Sequence, residues 1–371
     1  MKILEIVPRL HCGGAERFVV DLASGIARTG EHEVSLLCVN RILPGDFLAR
    51  QLDPAVKLIC LETPETMTGA ILAMPRVWNV IRRERPDVVH THLGGIQLAA
   101  LAEFAHWPHA RYFYTVHNDA FVDAGNRLWL KKILFHSGVR PVAISVESER
   151  SFVSAYGFHA PIIENGCGAG MPAQEELSAA AEEVRSWRST AESRLFLNIA
   201  RFSPQKNQIA QARAAAALAA EGADFDLVFM GNDENETIRS AILSLNCPRL
   251  HIAGLRSNPL AYLAQADFLA LFSEIEGLPI TLLESFALGI PPCVTPVGGM
   301  KNLLRDGING LVSEDTSEDA IRKTLKRALA LSAAERTRLG EAARESFTPY
   351  SMRRCAQRYL KLMSSDADSE I

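Results

Sequence analysis

The sequence predicts an α/β protein whose two halves are each built on a parallel β-sheet. Short apolar runs alternate with longer helical patterns along all 371 residues, which is typical of βαβ units. A chain of this length suggests two domains of ordinary size. Between the halves, the turn-rich stretch 165–172 interrupts the alternation with three glycines and a proline.

The predicted strands are the short apolar runs of this pattern. The helix after the first of them has an apolar stripe from Ala15 to Ile26, and Gly30 lies just past its end. In the first half, strands are predicted at 2–7, 33–39, 56–60, 87–90, 110–116 and 141–144. In the second half, they are predicted at 195–200, 226–230, 250–252, 268–272 and 292–295.

These elements define two domains with a connection between them. We predict an N-terminal domain over 1–168 and a C-terminal domain over 194–349. The segment 169–193 is acidic and alanine-rich, and we interpret it as a linker helix leading into the second domain. One more amphipathic helix is predicted near 353–363.

Composition excludes several classes of protein. Hydrophobic residues make up 48% and charged residues 22%, as in soluble globular proteins, and no apolar run reaches the length of a spanning helix. A net charge of −4 gives no support to nucleic-acid binding. The seven cysteines are scattered without a C-x-x-C pair, which argues against a disulfide framework and a zinc site. The sequence therefore predicts a cytoplasmic protein.

Two carboxylates, Glu276 and Glu284, are the most informative residues. They stand eight positions apart, after the apolar run 268–272. A helix is predicted to follow this run, with Pro279 in its first turn and Gly289 at its end. On a helical wheel Glu284 falls inside the apolar arc, and only Thr281 and Ser285 form the polar one. A carboxylate in that position needs a partner, either ligand hydroxyls or a cation. The alternative is a structural salt bridge or a side chain that reaches out to solvent.

Other polar groups follow the predicted strands, where ligands bind in open parallel sheets. Arg201 and Lys206 lie within one loop, and a guanidinium with an ammonium there suits a diphosphate, unless they form only a solvated basic loop. Gly13-Gly14, after the first strand, could equally form a tight turn, and His117 could be a structural residue at the end of its strand. The strand-following candidates are Gly13, Gly14, His117, Arg201, Lys206, Gly231, Leu255 and Glu276.

Two further features allow two interpretations each. His90 and His92 suggest a metal, but no matching carboxylate or cysteine cluster accompanies them in the sequence, so a structural role is favoured and no metal site is predicted. The basic, tryptophan-containing segments 76–83 and 127–132 could touch an anionic membrane surface. A core-facing stripe with a solvated basic edge is the favoured interpretation of both.

The combination of motifs resembles the retaining glycosyltransferases of family 4, which have the GT-B fold. The similarity covers essentially the whole chain, and it implies two Rossmann-like domains whose parallel sheets face a central cleft. It also implies that a C-terminal helix, 350–371, joins the N-terminal domain. The motifs that carry it are, in order, Gly13-Gly14 with Glu16, Tyr114-Thr115-Val116-His117, Asn165-Gly166, Ala200-Arg201-Phe202 with Lys206, Gly254, and Glu276 with Glu284.

The resemblance implies a role for each candidate residue. Glu276 would contact the donor sugar at the reaction centre, and His117 would face that sugar from the other domain. Glu284 would hold the ribose hydroxyls of a nucleotide sugar, and Arg201 with Lys206 would neutralise its diphosphate. The remaining donor-binding residues would be Gly13, Gly14, Gly231, Leu255, Gly277, Leu278, Pro279 and Ile280.

Two motifs depart from the family pattern. The turn Asn165-Gly166-Cys167-Gly168 lacks the usual acidic residue. The family's His-Asp pair is replaced by His117-Asn118, with Asp119 one position further on. The partner of His117 is therefore an open question at the level of sequence.

We expect a retaining, metal-independent glycosyltransferase that needs no cofactor and binds no nucleic acid. Its donor would be a nucleotide sugar, UDP-linked in preference to GDP-linked, and its acceptor a saccharide or a lipid-linked saccharide. Surface polysaccharide or lipopolysaccharide biosynthesis is the expected setting, with the inner membrane surface as a further candidate partner. The alternatives are a sugar-nucleotide epimerase, which would convert donor without acceptor, and a non-catalytic nucleotide-sugar-binding protein, which would turn over neither.

Overall fold

The computed structural model describes residues 1–11, 13–43, 46–104, 110–168 and 170–365. The chain forms two compact units, the first comprising Met1–Gly168 and the chain from Tyr350, and the second Ala169–Pro349. The segment 169–193, predicted as a linker, belongs to the second unit, although residue 169 lies outside the described part. Residues 366–371 of the predicted final helix also lie outside it.

The first unit contains a six-stranded sheet, and all of its strand pairs are parallel. Its strands are β1 (Lys2–Val7), β2 (Glu33–Asn40), β3 (Lys57–Thr63), β4 (Val88–His92), β5 (Arg111–Val116) and β6 (Arg140–Ala143). Its first helices are α1 (Gly14–Ala27), α2 (Met67–Glu84), α3 (Gly95–Phe104), α4 (Ala120–Ala124), α5 (Leu128–Ser137) and α6 (Val146–Tyr156).

The second unit contains another six-stranded parallel sheet. Its strands are β7 (Arg194–Ile199), β8 (Phe225–Met230), β9 (Leu250–Gly254), β10 (Phe268–Leu271), β11 (Pro292–Val294) and β12 (Leu311–Val312). Its helices are α7 (Gln174–Trp187), α8 (Gln208–Ala220), α9 (Glu236–Leu243), α10 (Pro259–Leu263), α11 (Ile280–Leu288), α12 (Met300–Leu303), α13 (Glu318–Ala330) and α14 (Ala333–Phe347). The final helix, α15 (Met352–Ser364), returns to the first unit.

The apolar runs form buried strands, as the sequence predicts. All six residues of β8 are buried, and in β1 only Lys2 is exposed. Parallel strands covered by helices on both faces need such continuous apolar runs. The predicted α/β class is confirmed, and each predicted strand is present with its ends shifted by a few residues. The strand β12 was not predicted, because two residues carry no detectable pattern.

Both sheets have the strand order of a Rossmann fold. The first sheet runs β3-β2-β1-β4-β5-β6, and the second repeats that order as β9-β8-β7-β10-β11-β12. In each, the order reverses at the central strand pair, β1 with β4 and β7 with β10. Ligands of such sheets bind outside the carboxyl ends of the strands at this switch point. The loops after these four strands are therefore where a site is expected.

The C-terminal helix α15 is built into the first unit. The backbone of Cys167 exchanges hydrogen bonds with Tyr350 and Met352, at 2.9 and 3.0 Å. A Cβ atom on Gly166 would lie 2.4 Å from the Cβ of Cys355, so only glycine allows this approach. The Asn165–Gly168 turn thus anchors α15. No helix among the described residues is both long and apolar enough to cross a bilayer.

Candidate active site

In the second unit, the loops after β7 and β10 meet at the switch point. Lys206 ends a 3₁₀ turn after β7, and its Nζ lies 2.5 Å from Oε1 of Glu276 in the loop after β10. The hydroxyl of Ser273 donates to the same oxygen at 2.6 Å. Gln205 ties the two loops together, since its backbone oxygen accepts from the amide of Glu274 and its side chain donates to the oxygen of Ile275, both at 2.8 Å.

In the described part of the chain, one carboxylate oxygen of Glu276 is hydrogen-bonded within the protein, and the other is not. The residue is only 9% exposed, and a buried carboxylate is stable when a cation and a hydroxyl satisfy it. Both of its hydrogen bonds use Oε1. Within the described residues Oε2 accepts no hydrogen bond. This oxygen can therefore accept hydroxyl groups of a ligand.

The loop after β11 fixes the backbone beside Glu276. The amide of Gly299 donates to the oxygen of Gly277 at 2.7 Å. Gly298 has a φ of +51°, and a Cβ atom there would lie 1.7 Å from the backbone oxygen of Glu276. Only glycine meets both requirements at this position.

Replacing Gly298 by alanine should therefore destabilise the protein by about 3 kcal/mol, from left-handed backbone strain together with overpacking. Gly307→Ala is the matched control, because Gly307 has a φ of +72° but open space around it. Gly307→Ala should lower the free energy of unfolding by about 1 kcal/mol, through left-handed backbone strain alone. Urea unfolding measures both, and equal losses would show that the close approach to Glu276 is unimportant.

Helix α11 presents Glu284 in its apolar face, as predicted. Glu284 is 5% exposed, and the helix ends at Gly289, whose φ is 71°. One detail of the prediction is wrong, since Pro279 is the residue before the helix, with an extended conformation, and does not lie in its first turn. In the polar arc, Ser285 is buried, and its hydroxyl donates to the oxygen of Ile290 at 2.5 Å.

The residues between the two carboxylates line the start of α11. Gly277 and Pro279 are half-buried, whereas Leu278 and Ile280 are buried. They connect the loop that carries Glu276 to the helix that carries Glu284.

Arg201 follows β7 and is exposed. Its backbone oxygen accepts from the side chain of Gln208 at 3.0 Å, while its guanidinium pairs with no group among the described residues. The neighbouring Gly231 has a φ of 143°, and a Cβ atom there would lie 2.2 Å from the oxygen of Ala200. Leu255, after β9, is half exposed. The second unit thus gathers the predicted cations and both carboxylates along one edge of its sheet.

In the first unit, Gly13 and Gly14 follow β1 and open helix α1. Gly13 is the capping residue, and no side chain caps the helix there. A Cβ atom on Gly13 would lie 2.2 Å from Oε2 of Glu16. The first amides of an α-helix have no intrahelical partner and suit an anion, and here the carboxylate of Glu16 itself lies beside Gly13.

The prediction that no carboxylate accompanies His90 and His92 is wrong, because strand pairing brings Glu5 to them. Register between β1 and β4 places Glu5 beside His90. Oε2 of Glu5 lies 2.8 Å from Nε2 of His92 and 3.0 Å from Nδ1 of His90. Nδ1 of His92 in turn lies 2.9 Å from Nε2 of His117. Sequence spacing gave no signal of this contact, since Glu5 and His92 are 87 positions apart.

These groups are a buried hydrogen-bonded network. Glu5, His90 and His92 are 0% exposed, and they are the one compact cluster of metal-ligating residue types found among the described residues. Nε2 of His92 is hydrogen-bonded to Oε2 of Glu5, and Nδ1 of His90 lies within ion-pair distance of the same oxygen, whereas Oε1 of Glu5 accepts no hydrogen bond among the described residues. Burial opposes ionisation of Glu5, yet His90 and His92 lower its pKa to about 2. Burial, together with the charge of His90, lowers the pKa of His92 to about 4, and burial lowers that of His117 well below its ordinary value.

Acid should destabilise the protein through His92. Its folded pKa of about 4 lies below the ordinary histidine value of 6.5, so between these values the unfolded chain binds a proton that the folded chain does not. The free energy of unfolding should fall by about 3 kcal/mol from pH 7 to pH 4 through this residue, at ~1.4 kcal/mol per pKa unit. Below pH 4 both states carry the proton and this loss stops. Urea unfolding across this range measures it, and wild type and His92→Gln should differ in slope; parallel curves would contradict the assignment.

The departure at His117-Asn118-Asp119 has a structural explanation. Asp119 caps helix α4, because its Oδ1 accepts from the amides of Phe121 and Val122 at 2.9 and 3.3 Å. The partner of His117 is therefore His92 and not a neighbouring carboxylate.

The segment 127–132 differs from its predicted solvated basic edge. Lys131 is buried, and its Nζ lies 2.5 Å from both Oδ2 of Asp123 and the hydroxyl of Tyr114. Trp129, by contrast, is 65% exposed. In the segment 76–83, Trp78 packs against the core, as predicted.

The family model described as Glycosyltransferase Family 4 matches residues 12–167, and that described as Glycosyl transferases group 1 matches residues 180–346. The chain is 24% identical to the lipopolysaccharide core biosynthesis glycosyltransferase LpsE of Rhizobium meliloti, over 95% of this chain and 96% of the relative.

Two more proteins show the same similarity over most of their length. One is the GalNAc-alpha-(1->4)-GalNAc-alpha-(1->3)-diNAcBac-PP-undecaprenol alpha-1,4-N-acetyl-D-galactosaminyltransferase of Campylobacter jejuni, 23% identical over 88% of each chain. The other is Anabaena HepE, whose crystal structure in complex with UDP and glucose has a TM-score of 0.79 at 18% identity, covering 98% of this chain and 99% of that one.

Proposed function

Because the chain belongs to glycosyltransferase family 4 and has the GT-B fold, we propose that it transfers a sugar from a nucleotide sugar to a saccharide or lipid-linked acceptor with retention of anomeric configuration. The observation that carries the proposal is the Lys206–Glu276 pair at the switch point of the second sheet. It places a cation and a free carboxylate oxygen side by side. Those are the groups needed for a leaving phosphate and for the hydroxyls of a donor sugar.

The donor would be held along the edge of the second sheet. Glu284, buried in α11, would accept hydrogen bonds from the two ribose hydroxyls of the nucleotide. Arg201, exposed after β7, and Lys206 would neutralise the diphosphate. The two cations would replace a metal ion in stabilising the leaving group.

Retention would follow from attack on the same face of the sugar as the leaving group. The cation of Lys206 and the hydroxyl of Ser273, both at Oε1, withdraw charge from the Glu276 carboxylate, so Glu276 would be a weak covalent nucleophile even through its free Oε2. It would instead fix the sugar and stabilise positive charge that develops on the ring. The leaving phosphate oxygen would take the proton of the acceptor hydroxyl as the new glycosidic bond forms.

The relatives support a UDP-sugar donor and a polysaccharide setting. The HepE structure holds UDP and glucose, the Rhizobium relative is named for lipopolysaccharide core biosynthesis, and the Campylobacter relative acts on an undecaprenol-linked glycan. We place the present chain in lipopolysaccharide or related surface polysaccharide synthesis, with contact to the inner membrane surface. Exposed apolar side chains support that contact, namely Met67, Ile71 and Leu72 on α2 and Trp129 and Ile133 on α5.

A thermal-shift screen of nucleotides and nucleotide sugars tests the proposal. UDP compounds should raise the melting temperature by mass action, more than GDP or ADP compounds. Incubation of the best donor alone, followed by NMR, then separates the alternatives. Conversion of the donor without an acceptor would indicate an epimerase. Nucleotide binding without turnover in the presence of any acceptor would indicate a non-catalytic protein. An unchanged melting temperature with every nucleotide would refute the donor site.

A further inference from the structure

We propose that Glu5 and His92 are positioning residues that fix the tautomer of His117, so that His117 presents an unprotonated Nδ1 to a sugar hydroxyl. The role of the sugar rests on the proposed function, but the tautomer does not. All three residues lie in the first unit, at the switch point between β1 and β4 and at the end of the neighbouring strand β5.

The geometry is a linear chain of two hydrogen bonds. Oε2 of Glu5 lies 2.8 Å from Nε2 of His92, and Nδ1 of His92 lies 2.9 Å from Nε2 of His117. Glu5 and His92 are completely buried, so water cannot substitute for either bond. His117 itself is half-buried, and among the described residues this is its one hydrogen bond. The edge-on packing of Phe18, with ring centroids 5.5 Å apart, holds the imidazole in place.

Proton accounting along this chain leaves one arrangement. Two imidazole nitrogens, from His90 and His92, converge on the same Glu5 oxygen, which favours an ionised carboxylate that can only accept. Nε2 of His92 must then carry the proton. A neutral imidazole has one donor and one acceptor, so Nδ1 of His92 accepts from Nε2 of His117. Nδ1 of His117 is consequently bare.

A second arm of the network leads away from His117 and provides a control. Nε2 of His90 lies 2.8 Å from the hydroxyl of Thr115, which lies 2.9 Å from the hydroxyl of Tyr359 on α15. Tyr359 is also completely buried. Its removal disturbs the same buried network without touching the bond between His92 and His117.

The consequence is a defined role for His117 in sugar binding. A neutral imidazole with a bare Nδ1 accepts a hydrogen bond from a hydroxyl, whereas it can neither donate through that atom to a phosphate nor add positive charge there. His117 would therefore orient a sugar hydroxyl and would contribute no positive charge to phosphate binding.

Nitrogen-15 NMR of the full chain with labelled histidine reads the tautomer directly in the free protein. We expect a pyridine-like chemical shift for Nδ1 of His117 and a pyrrole-like shift for Nε2. The isosteric Glu5→Gln can donate to His92 and so reverse the chain. It should convert His117 wholly or partly to the Nδ1–H form and lower kcat about tenfold, with the donor KM within about twofold. Tyr359→Phe should lose stability and keep the wild-type tautomer.

Three results would overturn the proposal. They are a protonated Nδ1 in the wild-type protein, an unchanged tautomer in a folded Glu5→Gln variant, and a stoichiometric metal ion bound by Glu5, His90 and His92 in the purified protein. If Glu5→Gln does not fold, the wild-type spectrum alone decides. The wild-type spectrum is recorded without nucleotide, so it does not depend on the proposed donor site. A wrong donor site and a wrong tautomer of His117 are therefore detected by separate experiments.

Discussion

Lys206→Ala should lower kcat/KM by about 10³-fold and also destabilise the protein. Deleting one charge that stabilises a transition state costs about 2–4 kcal/mol in other enzymes. Here the deletion also strands Glu276, whose side chain is 6% exposed and whose charge is matched by Lys206 at 2.5 Å. A stranded carboxylate at this partly accessible site should cost about 2 kcal/mol of stability, below the value for a fully buried pair. Steady-state kinetics and urea unfolding measure the two effects.

The matched control is Lys323→Ala, which removes a lysine from an exposed pair with Asp319 at 3.0 Å in the same unit. It should change neither rate nor stability appreciably. A double variant, Lys206→Met with Glu276→Gln, should recover the stability but not the rate, because it removes both charges together. Full turnover by Lys206→Ala would show that Lys206 does not act on the leaving group.

Glu276→Gln should lower kcat by about 10²–10³-fold while UDP still binds. The amide keeps the shape of the side chain but loses the charge that would stabilise a positive sugar ring. Lys206 would then be free to interact with the diphosphate alone, so the affinity for UDP should stay the same or increase. Kinetics and calorimetric titration with UDP measure the two quantities.

Glu274→Gln is the control for this variant, since Glu274 is exposed in the same loop. Glu274→Gln should leave both kcat and the affinity for UDP unchanged. If Glu276→Gln lost UDP binding and kept the wild-type kcat, Glu276 would hold the nucleotide, and the roles proposed for Glu276 and Glu284 would be reversed.

Much of the fold could be predicted from the sequence, because buried parallel strands need continuous apolar runs. The runs at 226–230 and 268–272 are unambiguous for this reason, and both match observed strands. β12 has no such run, since it pairs through only two residues. The burial of Glu284 was also predictable, because its position among the apolar residues of α11 follows from helical periodicity alone.

The polar contacts were harder to predict, because they depend on strand order and register. Glu5 faces His90 and His92 only because β1 and β4 are neighbours in the sheet. Lys131 has the sequence neighbours of a surface lysine, but tertiary packing pairs it with Asp123 inside the unit. The Lys206–Glu276 pair likewise requires β7 and β10 to be adjacent, although the sequence did place each residue after a strand.

The proposed function requires that a UDP-sugar diphosphate bind at the carboxyl edge of the second sheet. Calorimetric titration of UDP into wild type, Arg201→Ala and Arg213→Ala tests it most directly. Arg213 is a suitable control because it is an exposed arginine on α8, as Arg201 is after β7. We predict that Arg201→Ala weakens UDP binding about tenfold or more, through loss of a charge-assisted phosphate contact, and that Arg213→Ala does not. Equal affinity in all three proteins, or no binding of UDP to wild type, would contradict the claim.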